Sequence, residues 1–505
     1  MKHSYKDILS LTALASSVAT AYLLIMFVVY PLFMWNGYVG IDESKFMFYL
    51  YTSIGGVLLL LLTGFIPLAQ SFKKFSATDG FVLAFLLFSL FSYLFSVDRS
   101  EAFLGTAGWF MGLVSILLYL VLYILISRLW EFKQFVVNTA LAAASIVFII
   151  ALLDRFSLYL IPLEVRAPSF LSTIGNINWL MGYYSVFAPI GIGLFLMTLK
   201  KRGRCPATYF YAAFTFIAFA EGFAQGSESV FLFDIALLLG LLFLSYKNIV
   251  RPVDVVLTAA LYFLAAFFVR ILRLLIPNGY NYDSDGLCGE FTSSNIPVLM
   301  AVALLIIYIF IKNKSVFENG GKIYYIMAVV LAVLMISWIV LGILNTSGII
   351  QGPDSDIFKF DTSFGHGRGE IYKVAVMGFG RMNFRQKLLG VGPDCFSIYL
   401  YGFNDICAEL IARWPSERAA NAHCELLTVL INGGLLGLAS YLGIFTSFIA
   451  NTLRKHGDEY VWCITLAVFC YIVHNLISFS QVLNTPFIFI LMGMAQSLKN
   501  RSYML

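Results

Sequence analysis

His423 stands where a polar stretch gives way to an apolar one, in Ala419-Ala420-Asn421-Ala422-His423-Cys424-Glu425. An imidazole titrates near neutral pH, so at such a boundary it can accept a proton from a sugar hydroxyl as that oxygen attacks. The same side chain can also simply hydrogen-bond a loop at the interface. Upstream, Gly365-His366-Gly367-Arg368 leads into Gly369-Glu370-Ile371-Tyr372. The planar fork of Arg368 can bind two phosphate oxygens without losing its charge, which suits holding a diphosphate and neutralising it as it departs. A salt bridge from Arg368 to Glu370 or Asp361 is the competing reading, and His366 beside it is a candidate supporting group.

Other cations and one acid could join these two. Arg166 precedes Gly175-Asn176-Ile177-Asn178, where asparagines can cap a helix start. Arg166 reads equally as an anion ligand or an interfacial anchor. Arg270 and Arg273 are three apart and share a helix face. They either snorkel to the interface or add to a cationic site for a lipid diphosphate. Asp394 follows Gly390-Val391-Gly392-Pro393, where it could orient a base or bind a sugar hydroxyl, or merely make a turn. No metal is expected: the chain has no His-Glu-x-x-His, and only loop aspartates such as Asp283 with Asp285, and Asp354 with Asp356, come in close pairs. A phosphate-binding Gly-x-x-x-x-Gly-Lys-Ser/Thr loop is absent too, which argues against an ATP-driven pump.

The elements that must position these groups are membrane spans. The chain is 60% apolar and 12% charged, with a mean hydropathy of +0.85. A soluble domain carries about twice that share of charge. Apolar runs long enough to cross about 30 Å of hydrocarbon recur throughout. About fourteen are expected, near 10–35, 48–69, 80–97, 107–127, 135–154, 178–199, 207–224, 229–246, 254–275, 296–311, 323–344, 423–450, 460–479 and 483–498. The expectation is an all-α polytopic protein forming a single membrane domain over 1–505. The first run reads as a retained span, not as a cleaved signal peptide.

Lys and Arg concentrate in alternate short loops: Lys2 and Lys6, Lys73 and Lys74, Lys200 to Arg204, Lys312 and Lys314, Arg454 and Lys455, Lys499 and Arg501. The positive-inside rule then places both termini in the cytoplasm and the long polar segment 345–422 outside it. That segment, with short interfacial helices after Arg368 and after Gly390, is where chemistry is expected. The segments Phe156 to Ile177 and Pro277 to Asn295 would face it across a vestibule. Cys395 and Cys407 share the loop and could pair.

The order of motifs resembles the bacterial O-antigen ligase and polymerase superfamily of integral membrane glycosyltransferases. The resemblance covers about 166–437 as a core and extends to the C-terminus. It rests on Arg166 with Gly175-Asn176-Ile177-Asn178, Gly226-Ser227-Glu228-Ser229, Gly367-Arg368, Leu389-Gly390-Val391-Gly392-Pro393, His423 with Asn432-Gly433-Gly434-Leu435-Leu436-Gly437, and His474-Asn475. It implies a membrane glycosyltransferase fold and a glycan donor carried on undecaprenyl diphosphate. Arg166 and Arg368 would hold the diphosphate, and His423 would deprotonate the acceptor hydroxyl for inversion without metal or other cofactor. The expected partners are thus the lipid-linked donor, a glycan or lipid acceptor, and the lipids of a bacterial inner membrane. Two departures stand out: Ser227-Glu228-Ser229 lies where the family often has an arginine, and Tyr372 where it often has tryptophan. A flippase or exporter of lipid-linked glycans is the alternative, since the same spans could form a transport path.

Overall fold

The computed structural model of the chain describes residues 5–71, 75–281, 286–313, 321–352, 358–362, 364–415, 418–454 and 458–501. Lys2, Lys73, Lys74, Asp283, Asp285, Lys314, Asp354, Asp356 and Lys455 lie outside the described residues, as do the side chains of Lys6 and His366.

Apolar segments in lipid can satisfy their backbone only by internal hydrogen bonding, and the chain is an all-α polytopic membrane protein. The sheet found among the described residues is one antiparallel pairing of Phe170–Leu171 with Gly175–Asn176. Nine described helices are long and apolar enough to cross a membrane, or ten if the bent pair Leu287–Ser293 and Ile296–Ile311 counts as one span. Leu113–Leu129 and Glu459–His474 are apolar but shorter. Every expected apolar segment falls on a helix, although several boundaries move. The run expected over 460–479 ends at His474 because the chain beyond it turns aside: the Glu425 N–H donates to the Asn475 carbonyl at 2.9 Å, and the Ser480 N–H donates to the Glu425 carboxylate at 2.7 Å.

Ile177–Arg202 runs through the middle of the bundle, flanked by Pro206–Ala224 and Glu459–His474. Its first turn starts as expected, with the Asn176 side chain accepting the Asn178 N–H at 2.9 Å. The polar segment builds a second, smaller core of its own. Its helices Phe364–Arg381, Phe384–Leu389, Phe396–Leu400 and Asn404–Arg413 bury Ile371, Val374, Phe396, Leu400 and Leu410 together. Ile371 and Val374 thus lie on a buried helix face after Arg368, and the helix Phe396–Leu400 follows Gly390. Cys395 and Cys407 are both free thiols.

The two cores meet backbone to backbone. The Glu425–Arg454 helix breaks at Gly434, where φ is 66°. The Gly392 N–H donates to the Asn432 carbonyl at 3.1 Å, and the Val97 N–H donates to the Val391 carbonyl at 2.8 Å. Gly390, itself at φ 79°, lies so close that a Cβ there would stand 2.1 Å from the Asn432 carbonyl oxygen. Only glycine fits that approach.

Candidate functional site

Arg368 lies in the irregular first turn of Phe364–Arg381. Gly367, at φ 95°, brings the backbone so near the Arg413 guanidinium that a Cβ would sit 2.7 Å from its Nε. Four residues on, Tyr372 falls on the same helix face as Arg368. Glu370 pairs instead with Lys373 at 3.3 Å. Among the described residues Arg368 makes no hydrogen bond or ion pair. Burial works against its charge, while Tyr372 and Glu228 support it electrostatically. A guanidinium held by packing, with its fork unengaged, is suited to an anionic ligand.

His423 sits on a strained turn at φ 47°, unusual for a residue with a side chain. Three contacts hold it there. Its N–H donates to the Asn421 side-chain oxygen at 2.9 Å, its carbonyl accepts the Tyr372 hydroxyl at 3.2 Å, and its ring stands edge-on to Phe479 with centroids 5.1 Å apart. Tyr372 therefore ties the turn of His423 to the helix of Arg368. The Nδ1 of His423 is buried without a partner among the described residues. Burial first, then the nearby Arg368 charge, push the imidazole down to about 3. The expectation of a near-neutral pKa is thus corrected. The ring is neutral across ordinary pH and weakly basic until an anion offsets Arg368.

Asp394 carries both a turn and a positioning role. Its φ is 55°, and its carboxylate accepts the Thr106 and Met111 N–H groups at 2.8 and 3.1 Å. Burial outweighs those bonds and raises its pKa to about 7. The loop it grips presents Trp109, whose ring packs on Phe479 at 5.7 Å. A cavity of about 50 Å³ lies between Asp394, Trp109, Asn421, Glu425, Asn432 and Ser480. That is room for a few waters and not for a sugar, so it backs the site and is no substrate pocket.

The remaining expected cations lie apart. Arg166 bonds the Ile161 carbonyl, stacks on Tyr159 at 3.5 Å and approaches Asp154 to 3.9 Å. Arg270 donates to the Ser294 carbonyl at 2.8 Å and to Asn295, while Arg273 donates to the Gly289 carbonyl at 2.8 Å and to Thr292 at 3.1 Å. Both arginines therefore hold the short helix Leu287–Ser293 and its exit. No described contact joins any of the three to Arg368 or His423.

Three further groups, to which sequence reasoning gave no individual role, gather near these elements. His474 is buried within electrostatic reach of Arg368. Neither of its ring nitrogens makes a well-formed hydrogen bond among the described residues, with the Asn475 amide alongside. Glu228, in the motif where the resembled family often has an arginine, accepts the Leu287 N–H at 3.1 Å and faces the Arg368 charge. Arg155 is fully buried and donates to the carbonyls of Ala224, Gln225 and Pro168 and to Asn281. It thereby ties two of the three expected vestibule segments together. His474 and Glu228 stood in motifs that carry the resemblance, and Arg155 is a charged residue closing an apolar run. No family model matches the chain, and no curated protein matches it either.

Proposed function

We propose that the protein is a membrane glycosyltransferase of the O-antigen ligase or polymerase type. It would move a glycan from undecaprenyl diphosphate to an acceptor hydroxyl at the outer face of a bacterial cytoplasmic membrane. About fourteen spans would place both termini inside. The observation that supports this most is the pairing of Arg368 and His423 through Tyr372: an unengaged guanidinium and a neutral, partnerless imidazole at one end of the bundle.

In this reading the diphosphate binds Arg368, and its charge offsets the guanidinium, which after burial is the second cause of the low His423 pKa. The imidazole then becomes a better base at the moment it is needed. The acceptor oxygen attacks the anomeric carbon as the carbon–oxygen bond to phosphate breaks. The electron pair leaves with the diphosphate and the hydroxyl proton passes to His423. Inversion follows from a single displacement. In this reading Arg368 neutralises the charge that builds on the departing diphosphate.

The alternative, a flippase or exporter of lipid-linked glycans, draws on one observation. Glu221 is fully buried within the bundle, where a transporter would need an ionisable group. Transfer assays separate the two. Purified parent protein, a lipid-diphosphate glycan donor and varied acceptors, with EDTA present, should yield product that His423→Ala and Arg368→Ala both abolish. Undiminished transfer in the His423 variant would remove the proposed base, and donor translocation without transfer would favour the exporter.

A further inference from the structure

The Ala77–Leu94 helix is long and apolar enough to cross a membrane. Along it Leu83, Leu87, Phe91 and the C-cap Phe95 recur at steps of four, so they share one helix face. All four are exposed. An uncovered apolar stripe on a spanning helix is the surface against which acyl chains lie.

Two cations from different parts of the chain close the end of that stripe. The Arg385 guanidinium stacks on the Phe95 ring at 4.9 Å, and Arg99 donates to the Leu94 carbonyl at 3.2 Å. Both arginines are exposed, and among the described residues neither makes an ion pair. Charged residues beside them in the chain are engaged. Arg381 pairs with Asp405 through a 2.7 Å bond, and the Asp98 carboxylate accepts the Ser100 and Glu101 N–H groups at 2.9 and 3.0 Å. A guanidinium stacked through its face keeps its in-plane donors for a phosphate. Phe384, 79% exposed, adjoins Arg385. A bare aromatic ring and a cation thus occur together at the end of an apolar stripe, the composition of a boundary between hydrocarbon and headgroups.

We propose that this stripe and its two arginines bind an anionic phospholipid, with an acyl chain along Leu83 to Phe95 and the headgroup phosphate at Arg99 and Arg385. Charge selects the lipid. Two guanidiniums without a carboxylate partner favour a headgroup of net negative charge, whereas a zwitterionic headgroup brings its own ammonium. The leaflet is the one on the side of the polar segment, because the Val97 N–H donates to the Val391 carbonyl at 2.8 Å. Such a lipid also braces the loop core. Arg385 belongs to Phe384–Leu389, which seats on the helix break so closely that a Cβ on Gly434 would stand 2.5 Å from the Leu388 carbonyl oxygen. A phosphate shared by Arg99 and Arg385 ties that core to the end of Ala77–Leu94.

The test is native mass spectrometry of the full chain in detergent, titrated with phosphatidylglycerol or with phosphatidylcholine of the same acyl chains. The parent should retain phosphatidylglycerol more tightly than phosphatidylcholine. Replacing both arginines, Arg99→Gln with Arg385→Gln, should weaken phosphatidylglycerol binding about tenfold or more. Arg381→Gln, which removes another guanidinium of the same loop core, should leave it unchanged. Because Arg99 and Arg385 are exposed, the double variant should unfold at the parent's temperature in lipid-free detergent, and phosphatidylglycerol should raise that temperature in the parent alone. Equal retention of the two lipids by the parent, or undiminished binding by the double variant, would overturn the proposal. So would displacement of the phospholipid by a polyprenyl diphosphate at equal concentration, which would give the stripe to a lipid-linked donor instead.

Discussion

The imidazole of His423 meets Phe479 edge-on, 5.1 Å between centroids and 85° between planes. Phe479 rests on Trp109, and Trp109 belongs to the loop whose N–H groups bind Asp394. The contacts thus run in series from a buried carboxyl to the candidate base. Phe479→Leu should lower kcat for transfer about 10- to 100-fold by letting the imidazole rotate, with donor KM little changed. An unchanged kcat would show that Phe479 is mere packing.

His423 is held at about 3, against an ordinary 6.5. A base must be neutral to act, so kcat/KM should persist on acidification down to about pH 4, where an exposed imidazole would long have been protonated. A pH profile with saturating acceptor reads this directly, and an acid limb near 6.5 would contradict the buried neutral ring. His423→Ala should cost ~10²- to 10⁴-fold in kcat at any pH in that range.

Arg368 offers two donors in one plane, and a lysine offers a point charge. Arg368→Lys should therefore lose about 2–4 kcal/mol of transition-state stabilisation, measured as the fall in kcat/KM. If lysine sustains parent-level transfer, the bidentate role fails and only charge is required.

Asp394 has its pKa raised from 3.8 to about 7. The folded form holds the proton more tightly than the unfolded chain. Its contribution to stability is therefore complete below about 3.8 and is lost as pH rises through about 7. Thermal unfolding in detergent should show the parent losing more stability than Asp394→Asn between about pH 4 and pH 8. Parallel profiles for the two proteins would refute the assignment.

Arg155 ties the Gln134–Arg155 helix to the turn after Pro206–Ala224 and to the segment after Arg166. Arg155→Met leaves several buried carbonyls without a donor, each worth about 1–3 kcal/mol. The variant should be less stable by about 3 kcal/mol or more, seen as an early unfolding transition. An unfolding temperature equal to the parent's would show that other donors replace the guanidinium.

Apolar runs of about 20 residues by themselves pointed to a helical membrane protein, because a run of that length crosses lipid as a helix with its backbone bonded internally. Hydropathy also marked where the helices lie, and the polar segment with its Arg368 and His423 stood out against so apolar a background. Sequence spacing could not show that Tyr372 bridges those two residues, since contacts between 372 and 423 depend on how the loop core docks on the kink at Gly434. Nor could it separate Arg166, Arg270 and Arg273, engaged elsewhere, from Arg368, because four arginines near helix ends look alike until their partners are in place. The low pKa of His423 and the enclosed carboxyl of Glu221 were likewise decided by tertiary structure. Desolvation depends on everything packed around a group, and residues distant in the chain supply most of it.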